Sequence, residues 1–224
     1  LGTSGRKLHL ALKLAYTAFL IVLIPKYWVD YGPTNFLYFC DVALFMTLLA
    51  VWTERPIWAS AASVGILLPQ AVWMVDFFST LFGHPLLGAA EYMFDGGIPL
   101  FTRGLSFFHF WLPIFLVYLV FKLGYDRRAL VFWTILAFIV LPVCYFLLPA
   151  PPPPADNPNL PVNVNYVYGF SDDAPQTWMP PGLWFGMLII GLPLLVYWPT
   201  HRLLCWKRLG LAARISHKPS TAAE

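Results

Sequence analysis

Few residues of this 224-residue chain have side chains suited to chemistry in an apolar setting, and most fall in one interval. Cys40 and Asp41 are adjacent, Gln70 and Asp76 follow, and Arg103, Ser106 and His109 step by three. A carboxylate beside an imidazole fixes its tautomer and raises its basicity, which suits general acid–base work. A thiol or hydroxyl within reach of that pair becomes a nucleophile. Cys40 is the leading choice, with Thr47 and Ser106 behind it, His109 as base and Asp41 orienting the ring. Arg103, Gln70, Asp76 and Tyr38 are then candidates to bind the polar part of a substrate, Arg103 through a phosphate or carboxylate. The opposite reading is structural. A buried carboxylate needs a partner, and Asp41, His109 and Arg103 would form a polar knot pinning three helices. Spacing leaves both open.

The elements that must position these groups follow from composition. The chain is 59% hydrophobic and only 11% charged, with a mean hydropathy of +0.66. A soluble domain carries roughly 25% charged residues, so a water-facing surface cannot be covered. Soluble enzyme, nucleic-acid binder and disordered linker are excluded. An aromatic share of 18%, with 10 Trp, fits anchoring at a bilayer interface.

Six apolar segments of near-span length emerge, at about 8–24, 35–52, 57–80, 104–123, 129–148 and 182–199. The first carries Lys13 and lacks a small-residue cleavage site after it, so it reads as a retained span. The chain opens on Leu1, which leaves room for a short leader. The short connections Thr53–Pro56 and Gly124–Arg128 force antiparallel neighbours. Twelve Lys and Arg then fall on one side, and only Lys26 and Arg103 on the other. That positive-inside bias predicts an all-α, six-span integral membrane protein with both termini cytoplasmic. On this layout Asp41 lies about 9 Å below the outer surface, with His109 at the same depth. Intramembrane ionisable groups mark function by default, and these are confined to the outer half.

Three outward loops follow. Residues 81–103 mix apolar runs with Gly, Pro and acidic or His residues, which predicts a re-entrant or interfacial segment. Residues 149–181 hold ten prolines, and Asn157, Asn159, Asn163 and Asn165 with Tyr166 and Tyr168 predict an ordered cap. The Pro151–Pro154 run predicts extended polyproline II, and a plain solvated connector is the alternative. Cys40, Cys144 and Cys205 make no CxxC and no zinc spacing, so buried thiols are expected and no metal or other cofactor is implied. His9, His201 and His217 read as interfacial or tail residues. Cys205, beside Trp206, Lys207 and Arg208, is a candidate for palmitoylation. Gly182-x-x-x-Gly186 is a helix-packing pattern of low specificity. Phosphate loops, HExxH, GxSxG and paired broken helices are all missing from the sequence.

The stretches Asn35–Ala43 (NFLYFCDVA) and Phe101–Phe110 (FTRGLSFFHF) resemble a family of six-span bacterial membrane proteins of the YwaF type. Cys40–Asp41 and His109 match the Cys-Asp pair and later His of that family. The likeness covers spans two to four. Animal relatives of the family include membrane lipid acyltransferases and fatty-acid-ester hydrolases. The resemblance therefore implies Cys40 as nucleophile and His109 as base, acting on a membrane lipid in a bacterial inner membrane. Two departures stand: Tyr38 where the family often has a His, and a loop 149–181 without counterpart. The competing expectation is a non-catalytic subunit docked to a membrane-protein partner.

Overall fold

The computed structural model describes residues 8–206, and among these the chain is helical with no strand. The helices are α1 (Leu10–Tyr31), α2 (Phe39–Thr53), α3 (Pro56–Leu81), α4 (Leu100–Leu105), α5 (Phe108–Leu123), α6 (Ala129–Leu147) and α7. The last spans Pro181–Trp206, with a π-helical stretch at Leu192–Tyr197. Five helical segments are long and apolar enough to cross a membrane, α4 and α5 counting together as Leu100–Leu123. All five correspond to expected spans.

The second expected span is shorter than its apolar run. Residues 35–37 belong to a 3-10 turn, Pro33–Leu37, and α2 begins only at Phe39. At 1.5 Å per residue its 15 residues rise about 22 Å, short of a bilayer's ~30 Å. The Pro33–Leu37 turn packs directly ahead of it. The fourth expected span starts earlier than its apolar run, at Leu100, and tightens at Ser106–Phe107 before α5. There the His109 amide bonds back to the Ser106 carbonyl.

Helix α3 is the centre of the bundle, packed on α2, α5 and α6. Its sequence explains the position. Ala59, Ser60, Ala61, Ala62, Ser63 and Gly65 are all buried, and small residues let helix backbones approach closely where no hydrophobic force drives them together. Gly65 is the tightest point. A Cβ there would lie 1.8 Å from the Trp133 ring of α6, and Trp133 is fully buried. By contrast, Gly182 and Gly186 would meet nothing within 4 Å with a Cβ added, so that pattern packs no described helix.

The two longest loops differ. Residues 82–99 form turns and a short 3-10 helix, Glu91–Met93, with no helix of spanning length. The proline run bends rather than extending. Beyond it the cap is ordered, with Val162, Asn163, Val164, Asn165 and Val167 buried. Lys13, inside the first span, is paired with Glu54 at 2.6 Å.

Candidate functional site

The polar residues singled out above lie towards one end of the bundle, on α1 to α5 and the loops joining them. Two side-chain bonds fasten α1 to α4: Tyr27 and Ser106 hydroxyls at 2.6 Å, and Thr102 donating to Asp30 at 2.8 Å. Asp30 also takes Lys26, 2.7 Å away. Behind them lies Asp41, 3% exposed, in the first turn of α2. That place suits a carboxylate, because the amides of a helix N-terminus present partial positive charge. Its Oδ2 accepts from the Cys40 thiol (3.8 Å) and from Asn35 Nδ2 (3.4 Å), both long. Its Oδ1 is buried with no hydrogen-bond partner. The Tyr27 phenol is close enough to interact electrostatically with both Cys40 and Asp41, and the Tyr92 phenol, from the loop between α3 and α4, with Tyr27 and Cys40.

His109 is held elsewhere. Its Nδ1 faces the Gln70 side-chain amide at 2.9–3.0 Å, and its ring stacks on Trp73 and Phe108, 4.6 and 4.1 Å between centroids. It makes no hydrogen bond with Cys40 or Asp41. The expected Asp41–His109 and Asp41–Arg103 pairings are therefore not formed, because Gln70 takes the ring and Arg103 turns to backbone. Arg103 donates to the carbonyls of Ile98 (3.0 Å) and Met93 (3.1 Å).

Asp76, expected to meet Arg103 at the rim, does not. It is 1% exposed and accepts three backbone amides, from Leu86 (2.9 Å), Leu87 (2.8 Å) and Ala90 (2.9 Å). Asp76 and Arg103 thus clamp the two halves of one loop, the carboxylate taking its N–H groups and the guanidinium its C=O groups. Neither is left free toward the cluster around Asp41. Tyr38 reaches the Val162 carbonyl of the cap at 3.5 Å. Of the seven expected site residues, Cys40 and Asp41 touch each other, Gln70 and His109 touch each other, and Asp76, Arg103 and Tyr38 hold loops.

Two asparagines not proposed as site residues carry the cap. Asn165 accepts from the Phe39 amide at 2.9 Å, satisfying a free donor at the start of α2, and donates to Leu37 O at 2.9 Å. Asn163 donates to Gly169 O and Ser171 O, each 3.0 Å away, and accepts from the Tyr168 amide at 2.7 Å. Both have positive φ, 52° and 60°, a conformation in which Asn is enriched. Among the described residues, no group of three or more His, Cys, Asp or Glu is placed to hold a metal ion.

A second constellation lies at the far end of the bundle. Tyr125, in the turn between α5 and α6, meets His201 Nδ1 at 2.7 Å, and the Cys205 thiol meets His201 Nε2 at 3.7 Å. Burial holds the Tyr125 hydroxyl above the usual tyrosine range, with the nearby Cys205 and Asp126 adding to it.

Against known proteins, no family model, no curated protein and no solved structure matches the chain.

Proposed function

We propose that the chain crosses a bacterial inner membrane six times with both termini cytoplasmic, and that its outer-leaflet cluster carries acyl or ester chemistry on a membrane lipid. Five long apolar helices, with α2 and its preceding 3-10 turn as the sixth crossing, support the topology, as does the twelve-to-two division of Lys and Arg.

The observation carrying the chemistry is the Cys40–Asp41 contact. One carboxylate oxygen accepts from the thiol and the other has no partner, so a base adjoins a nucleophile in apolar surroundings. In this scheme Asp41 takes the Cys40 proton as Sγ bonds to the ester carbonyl. The ester C–O bond breaks, and the proton passes to the leaving alkoxide. A second hydroxyl, or water, then attacks the thioester, its proton moving through Asp41 to return Cys40 as thiol. When Ser106 donates to Tyr27, the Tyr27 hydroxyl is free to donate to the carbonyl oxygen. Asp41 replaces His109 as proton acceptor because it is the group beside the sulfur.

The test is turnover of a phospholipid with a fluorescent acyl chain by the full chain in mild detergent. Cys40→Ser abolishes it, and Asp41→Asn lowers it about 100-fold, within the usual range for a general base. Undiminished turnover in Cys40→Ser overturns the reading.

A second reading, an accessory subunit of a larger membrane complex, is favoured by His109, which is locked between Gln70, Trp73 and Phe108 as a packing element. Native mass spectrometry of protein extracted from its own membrane separates the two. Reproducible co-migration with other subunits, without lipid turnover, supports the accessory role.

A further inference from the structure

His201 and Cys205 are one turn apart on α7 and share a face. The imidazole is fixed through both nitrogens by groups from different elements: the Tyr125 hydroxyl at Nδ1, 2.7 Å, and the Cys205 thiol at Nε2, 3.7 Å. Tyr125 is buried and its ring lies 5.6 Å from the imidazole, so the orienting group is itself held. When Tyr125 accepts from Nδ1–H, Nε2 presents its lone pair to Sγ. A nucleophile, a base at hydrogen-bond reach and a third group orienting the base are the parts of an activated thiol. Arg127 and Arg202 act electrostatically on the ring, and with burial they lower its basicity; the same positive charge favours a developing thiolate.

The surroundings say what such a thiol meets. Cys205 is half-buried in the last described turn of α7, next to Trp206 and two turns along the same face from Trp198, both tryptophans exposed. The Arg202 guanidinium lies over the Trp198 ring, 5.7 Å from its centroid. Exposed Trp with Arg at a helix end is the signature of the membrane–water boundary. There an amphiphile presents its polar part to the thiol while its chain stays in the bilayer.

We propose that Cys205 is a self-acylating thiol that takes a fatty acyl group from a fatty acyl thioester, with His201 as its base and Tyr125 positioning His201. His201 Nε2 takes the thiol proton and Cys205 Sγ bonds to the acyl carbonyl carbon. The donor's own C–S bond breaks, and the imidazolium proton goes to the departing thiolate. One thioester is exchanged for another, so no oxidant or further reactant is needed.

The experiment is incubation of the purified full chain in detergent with palmitoyl-coenzyme A. It is read by intact mass, peptide mapping and release with neutral hydroxylamine. Wild type is expected to gain one hydroxylamine-labile adduct, mapped to Cys205. Cys205→Ser removes it, Cys40→Ser keeps it, and His201→Gln slows it at least tenfold at unchanged melting temperature. His201→Asn serves as the second variant should His201→Gln fail to fold. Tyr125→Phe slows it a few-fold and shifts its pH profile. An equal rate in the His201 variants, or no adduct on Cys205 of the wild type, overturns the proposal. Because Cys40→Ser is a separate arm, loss of lipid turnover at the outer site and loss of Cys205 labelling are read independently.

Discussion

Cys40 and Cys205 both have acid–base groups beside them, and the bundle supplies those groups by different routes. At Cys205 the base comes from the same helix, four residues earlier, so helix geometry alone brings Nε2 to 3.7 Å from sulfur. At Cys40 the expected base belongs to another helix 69 residues away, and lateral packing hands it to Gln70 instead. The outer cluster is also far more occupied. Asp76 holds three amides, Arg103 two carbonyls and His109 one amide, which leaves Cys40 and Asp41 with unused bonding capacity. A constellation of reactive residue types is thus weak evidence of chemistry until the competing partners of each group are known.

The largest effect that would break this contrast lies at Asp76. Asp76→Ala leaves three amides without their acceptor and is expected to destabilise the fold by about 3 kcal/mol in thermal unfolding, each lost bond being to a charged group. Asp41→Asn, at a carboxylate with an unpartnered oxygen, is expected to change stability by less than about 1 kcal/mol. Equal destabilisation by the two would mean that Asp41 is as structural as Asp76.

Alkylation of single-cysteine variants by iodoacetamide sharpens the contrast between the two thiols. His201→Gln is expected to slow reaction at Cys205 at least tenfold, while His109→Ala leaves Cys40 within twofold. A tenfold fall at Cys40 would restore His109 as its base. Asn165→Ala, which removes the acceptor at the start of α2, is expected to cost about 1 kcal/mol, the usual scale for such caps. It should also speed hydrogen exchange at the Phe39 amide. The smallest effect concerns Tyr125. Its hydroxyl titrates higher in the folded chain than the ordinary value of 10.0, so its contribution to stability is complete below pH 10 and falls as pH rises beyond it. Tyr125→Phe should flatten that alkaline fall.

The apolar runs gave good access to the architecture. The expected span 129–148 is observed at Ala129–Leu147 and the expected 57–80 at Pro56–Leu81, because a continuous apolar stretch ending in Pro, Gly or charge has few other ways to fold in a bilayer. Span two was misjudged by four residues at its start because its first helical donor is satisfied by Asn165, distant in sequence. For the same reason the clamping by Asp76 and Arg103 was invisible. Their partners are backbone atoms, and every residue offers those. The Cys205–His201 pair has a visible signal, four-residue spacing at the end of an apolar run, which an interfacial His and a lone Cys would show equally. The acceptor role of Tyr125 had no such signal, since it depends on how the α5–α6 turn meets α7.

Chain order matters for how the outer cluster comes into being. The amide that opens α2 is capped by a residue made 126 positions later, on a segment between α6 and α7. In a chain made from its N-terminus, Cys40 and Asp41 are therefore synthesised long before the segment that caps their helix. Their final surroundings are completed only when the last hairpin closes. The outer cluster is a late product of assembly, although its residues are among the earliest to be synthesised.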